Sequence, residues 1–121
     1  MQNPRNLIVW QKSHRLAVAI YRLCRRLARA DRSGLASQVR RSAQSIRANI
    51  TEGCCRSSNA DFARFLQIAI ASAAELEDHL EFARDVDLLA PNEASPLLNQ
   101  TVEVRRMLYA LLKRVQDERG D

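Results

Sequence analysis

Residues 97–115 read LLNQTVEVRRMLYALLKRV, and the spacing inside this stretch decides the fold. Leu97, Thr101, Val104, Leu108, Leu111 and Val115 recur at alternating steps of four and three. Such steps put one narrow stripe on one face of a helix, the seam of helices that pack side by side at about 20°. The pattern predicts a helix over about 93–118.

Working back from it, Ala90-Pro91-Asn92 breaks the chain, and three further helical segments precede that break. A helix is expected over 59–89, with a stripe at Phe62, Phe65, Leu66, Ala69, Ala73, Leu76, Leu80 and Ala83. Ser58 and Asp61 are spaced like a capping pair at its start. Another is expected over 34–54 on Leu35, Val39, Ala43, Ile46 and Ile50. Ser33 is its expected N-cap, its small residues Ser37, Ser42, Ser45 and Ala48 permit close helix approach, and Gly53 falls where its pattern stops. The first helix is expected over 7–30 on Val9, Leu16, Ile20, Leu23 and Leu27. Connections this short make neighbouring helices antiparallel. The expectation is an all-α, up-and-down four-helix bundle, oligomeric, with residues 1–121 as one domain. Three glycines, three prolines and few strand-forming residues in a chain of 121 agree with that.

No apolar run approaches the ~20 residues that cross a bilayer, and the N-terminal residues 1–6 are polar with no signal-peptide core behind them. Cys24, Cys54 and Cys55 are odd in number and partly adjacent, which suits reduced thiols better than a disulfide framework. A cytoplasmic protein is expected.

Two stretches carry more apolar surface than a single bundle needs. Residues 65–74, FLQIAIASAA, hold no charge, and residues 107–112, MLYALL, are apolar all round. A helix apolar on every side is buried on every side, so Phe65, Ile68, Ile70, Met107, Tyr109 and Leu112 are expected at an interface between copies. Periodicity does not give the subunit number.

Charge is divided along the chain. Up to Ser58 there are twelve Arg/Lys against two acids, a net of +10; from Asn59 there are seven against twelve, a net of −5. Seventeen of the nineteen basic residues are arginine, which favours bidentate contact with phosphate or carboxylate. Arg15, Arg22, Arg26 and Arg29 line one flank of the first helix; Arg40, Gln44 and Arg47 form a second line, with Arg41 adjacent and Arg56 just beyond. Rows of this kind could neutralise successive phosphates of RNA or DNA without strong sequence preference. The bland reading is pairing with the acids of 75–87, worth about 0–1 kcal/mol per exposed pair. Phe62 and Phe65 fit the core stripe, so they do not suggest stacking on bases.

Catalytic patterns are missing. His14 and His79 lack companions at metal-ligand spacing, and no phosphate-cradling glycine loop or nucleophile elbow is present. Glu75, Glu77, Asp78, Glu81 and Asp85 could place carboxylates on one face for Mg²⁺, but bundle di-metal sites use Glu-x-x-His pairs, and none occurs. A bundle ribonuclease of the HEPN type needs an arginine five to seven positions before its histidine. Neither histidine has one. No metal, cofactor or enzymatic activity is expected.

Val9-Trp10-Gln11-Lys12, residues 37–46 (SQVRRSAQSI), Asn49-Ile-Thr-Glu-Gly53 and Arg64-Phe-Leu66 through Glu75-Leu-Glu77 occur in that order. In these the chain resembles the four-helix bundle proteins encoded in bacterial 23S rRNA intervening sequences, over about 7–115. The resemblance implies a ring-like homopentamer without known catalytic activity. That family is similar to accessory proteins of diversity-generating retroelements, basic pentamers that bind nucleic acid and engage a reverse transcriptase. By position the motif residues are Arg40, Arg41, Asn49, Glu52 and Gly53. The chain departs from the family's pattern at Arg47 (commonly proline), Thr51 (alanine), Cys54-Cys55 (an aromatic-glycine pair) and Ala71 (glycine). Without the proline, the second helix should run straighter. Asn49 and Glu52, one turn apart, could also form a structural hydrogen-bonding pair. The leading expectation is a homo-oligomer, a pentamer by resemblance, that binds nucleic acid backbone; the alternative is a protein-binding scaffold whose charges pair internally.

Overall fold

The computed structural model describes residues 2–120 apart from 28, 30 and 32, with side chains through 118. Among them four α-helices form a bundle: α1 (Ile8–Leu27), α2 (Leu35–Cys54), α3 (Asn59–Asp85) and α4 (Pro91–Gly120), after a 3₁₀ turn at Pro4–Asn6. The expected end of the first helix, at residue 30, lies outside the described residues. Each helix packs on its two neighbours in chain order around the bundle, most extensively α2 on α3 and α3 on α4, least α1 on α4. The stripes meet inside: Leu16, Ile20, Ile46, Leu66, Leu76 and Leu108 are wholly buried. Thr101, a polar residue in the α4 stripe, is satisfied there because its hydroxyl donates to the Leu97 carbonyl at 2.7 Å. No described helix is long and apolar enough to cross a membrane.

α2 runs unbroken from Leu35 to Cys54, through the position where the family's proline would stand. Its N-cap is not Ser33 but Gly34, in the left-handed region at φ 79°, which glycine adopts without steric cost. The capping groups come from upstream instead. The Ala36 amide donates to the Asp31 carboxylate at 2.6 Å, and the Leu35 amide donates to the Ser33 hydroxyl at 3.3 Å. At α3 the expected cap holds: the Ser58 hydroxyl accepts from the Asp61 amide at 3.1 Å.

α3 stops at Asp85, short of the expected 89, because the chain reverses through Asp87 at φ 65°. The Leu88 amide donates to the Ala83 carbonyl and the Asp87 amide to the Arg84 carbonyl. These are the two bonds of a Schellman turn, with aspartate where glycine usually stands. The turn sends Leu89 back into the core, 2% exposed, from a loop rather than from a helix end. α4 then starts two residues earlier than expected, because Pro91 is its first residue, where a missing N–H costs nothing.

Two outcomes follow from these turns. A non-glycine left-handed residue is strained, so Asp87→Gly is expected to raise stability by roughly 0.5–1 kcal/mol, read as a higher melting temperature. Desolvation pushes the Asp31 carboxyl up, but hydrogen bonds from Ala36, Ser33 and Leu35 outweigh it and hold the group below its ordinary value. A depressed folded-state pKa contributes stability that is full above the unfolded value and fades as pH falls through the folded one. Asp31→Ala is therefore expected to cost about 0.5–2 kcal/mol at pH 7. In urea titrations the variant and wild type should converge as pH drops below about 3.9.

Candidate nucleic-acid interface

α1 and α2 lie antiparallel, pinned at both ends of their contact. The Trp10 indole N–H donates to the Thr51 hydroxyl at 2.9 Å, and the Cys24 thiol donates to the Ala36 carbonyl at 3.2 Å. Thr51, one of the departures from the family's pattern, thus supplies the acceptor for the chain's one tryptophan. Counting turns inward from the two pins sets the residues of the outer seam. His14, one turn after Trp10, lies across from Arg47, one turn before Thr51. Tyr21, nearly one turn before Cys24, lies across from Arg40, one turn after Ala36. Burial pushes the Cys24 thiol up, against a smaller opposing pull from the Arg40 charge.

The expected arginines fall into three groups. Arg15, Arg22 and Arg26 are exposed along the outside of α1, and Arg29 is exposed in the turn beyond its end. Arg40 is exposed and Arg47 half-buried on the α1 side of α2, whereas Arg41 turns toward α3 and lines a cleft with Gln38, Ser45, Glu75 and His79. Arg56 is apart from both, at the end of α2. Two of the eight are engaged: Arg26 pairs with Glu93 and Arg56 with Glu52. Among the described residues, Arg15, Arg22, Arg29, Arg40, Arg41 and Arg47 have no carboxylate within 4.0 Å.

Of the acids expected to pair with them, Glu75, Glu77 and Asp85 meet other partners. Glu77 pairs with Arg105 across α3 and α4 at 3.2 Å, Asp85 with its neighbour Arg84 at 2.9 Å, and Glu75 lies 3.9 Å from His79. Among the described residues no three His, Cys, Asp or Glu side chains gather as a metal site.

Of the motif residues, Asn49 and Glu52 do not bond each other. The Asn49 amide donates to the Ser45 carbonyl at 2.8 Å and to its hydroxyl at 3.1 Å, and Ser45 meets Ser72 of α3 at 2.7 Å. Gly53 does not terminate α2 through its backbone. It lets α3 come close: a Cβ there would lie 2.8 Å from Phe62 Cδ1 and 3.2 Å from Phe65 Cβ.

The expected interface residues are scattered. Ile70 and Leu112, at 8% and 9% exposed, belong to the protomer's own core and are withdrawn from the interface. The charge-free run at 65–74 hid this, because the small or polar Gln67, Ala71 and Ala74 take up most of its outer side. Phe65 is half-buried beneath the guanidinium groups of Arg64 and Arg56, at 4.5 and 4.7 Å. Met107 is half-buried beside Leu7, Ile8 and Val9. Ile68 and Tyr109 remain exposed. Sequence reading missed Phe82 and Val86, which continue the outer line of α3 from Ile68 at helical steps of fourteen and four. It also missed Tyr21, 44% exposed. The signal for Tyr21 was there: it lies off the Leu16–Ile20–Leu23 stripe, next to an arginine.

The family model for 23S rRNA-intervening sequence proteins matches residues 5–110. A crystal structure of a protein of unknown function from the S23 ribosomal protein family of Bacteroides thetaiotaomicron is 30% identical and superposes with a TM-score of 0.83. The match covers 88% of this chain and 99% of that one. Among curated proteins none matches the chain.

Because the Phe62 ring is confined, Gly53→Ala is expected to destabilise the bundle by about 1–3 kcal/mol. Urea midpoints should fall at unchanged m-value; an unshifted midpoint would remove close packing as the reason for glycine.

Proposed function

Given that this chain belongs to the 23S rRNA-intervening sequence protein family, we propose that it is a cytoplasmic, non-enzymatic homo-oligomer whose arginine-rich α1–α2 side binds the backbone of RNA or DNA. The carrying observation is that, among the described residues, six of the eight expected arginines have no carboxylate within 4.0 Å, although the sequence holds fourteen acidic residues. Exposed guanidinium groups left without partners on one side of a bundle form the footprint of a polyanion-binding surface. Three free thiols agree with a reducing compartment.

Exposed Ile68, Phe82 (57%), Val86 and Tyr109 (53%) on α3 and α4 favour association of copies. We take their number to be five, in keeping with the family resemblance. The second reading is a scaffold in which a head-to-tail contact joins the basic α1–α2 side of one copy to the acidic α3–α4 side of the next. The arginines are then spent between subunits, and the partner is a protein, such as a reverse transcriptase.

Two measurements separate the readings. Light scattering should give several times the 13.7 kDa monomer mass; a monomer at micromolar concentration overturns the assembly. Duplex DNA should bind at low salt, with log affinity falling by up to about 5 per decade of salt if all six free arginines meet phosphates. Arg22→Ala/Arg40→Ala should weaken binding and leave the mass unchanged. Loss of the oligomer instead, with binding unaffected, would make these arginines subunit contacts and favour the scaffold.

A further inference from the structure

The α1–α2 seam carries aromatic faces as well as charge. The His14 ring is exposed and stacks on Trp10, with centroids 5.0 Å apart and planes 10° from parallel. Trp10 itself is nearly buried and hydrogen-bonded, so His14 sits on a platform that cannot turn away. Tyr21 follows seven residues later on the same edge of α1, two turns or roughly 10 Å along the helix. Arg22 and Arg25 flank it on its own helix, and Arg40 and Arg47 face it and His14 from α2; none of these four has a carboxylate within 4.0 Å among the described residues.

One exposed tyrosine alone is ordinary. Two exposed rings on one edge, bordered on both sides by free arginines, match what an unpaired strand requires: cations for its phosphates and π-faces for its bases. Phe65 makes the contrast. It too lies under arginines, but those are paired with Glu52 and Asp61 and their guanidinium groups already cover the ring. A duplex gains little from the seam, because its bases are stacked on each other and cannot splay onto a side chain.

We propose that the seam between α1 and α2 is a single-strand site, in which unpaired bases stack on Tyr21 and on His14, itself backed by Trp10, while Arg22, Arg25, Arg40 and Arg47 hold phosphates. This rests on the nucleic-acid reading above and narrows its ligand to unpaired strands.

Fluorescence anisotropy with labelled oligouridylate, oligo-dT and a blunt RNA duplex of equal length tests it at low salt. The single strands should bind more tightly than the duplex, and the stronger of the two identifies the preferred sugar. Tyr21→Ala should weaken single-strand binding about 10- to 100-fold and leave the duplex unchanged. Tyr21→Phe, which keeps the π-face, should bind as wild type does. Circular dichroism checks that the helices are intact, which an exposed position should allow. Duplex preference, or Tyr21→Ala affecting both ligands equally or neither, overturns the single-strand site while leaving backbone binding in place. Failure of every ligand to bind, or indifference of all three to Arg22→Ala/Arg40→Ala, overturns both.

Discussion

α1 is the helix with the least to hold it, since it meets α4 only thinly, and the surface of interest depends on where α1 sits. Two hydrogen bonds to α2 decide that. Trp10 reaches Thr51 at one end and Cys24 reaches the Ala36 carbonyl at the other, and between them the register admits no slip. Each bond contributes only about 0.5–1.5 kcal/mol to stability. Their larger effect is positional: they decide which residues of two separate helices become neighbours. The opposite edge of α1 is held by Lys12 to Glu103 and Arg26 to Glu93, ion pairs too exposed to fix a register.

The up-and-down order converts a division along the chain into a division in space. α1 and α2 adjoin, as do α3 and α4, so the net +10 of the first 58 residues and the net −5 of the rest settle on opposite sides. With a long crossover connection the same residues would alternate around the bundle. Mutual cancellation of the two halves would then be easy. Here, among the described residues, the ion pairs between the two halves lie on the α1–α4 edge, where Glu93 and Glu103 reach across.

How much of this was legible depended on whether a residue's role is written in its own helix or across two. The stripes on all four helices could be read because a 3.6-residue period is a property of one segment; Thr101 fits its stripe even as a polar residue. The Ser58 cap was legible for the same reason. The end of α3 was not, since Asp87 in a left-handed conformation is rare, and Leu88-Leu89 looks like one more turn of apolar helix. Ile70 and Leu112 were misplaced because a charge-free run does not say which of its residues face inward. The two lines of arginines were visible one helix at a time. That Arg40 faces Tyr21 and Arg47 faces His14 follows from the Trp10–Thr51 register, a fact about two helices that neither contains alone.

The separation of charge has a consequence at a distance. A body basic on one side and acidic on the other has a permanent electric moment, directed here from the α3–α4 side to the α1–α2 side. Near a polyanion, within the ~8–10 Å over which salt leaves a field unscreened, that moment feels a torque as well as a pull. Encounters are then oriented before any atom touches, with α1 and α2 leading, and the fraction of collisions that arrive the wrong way round falls.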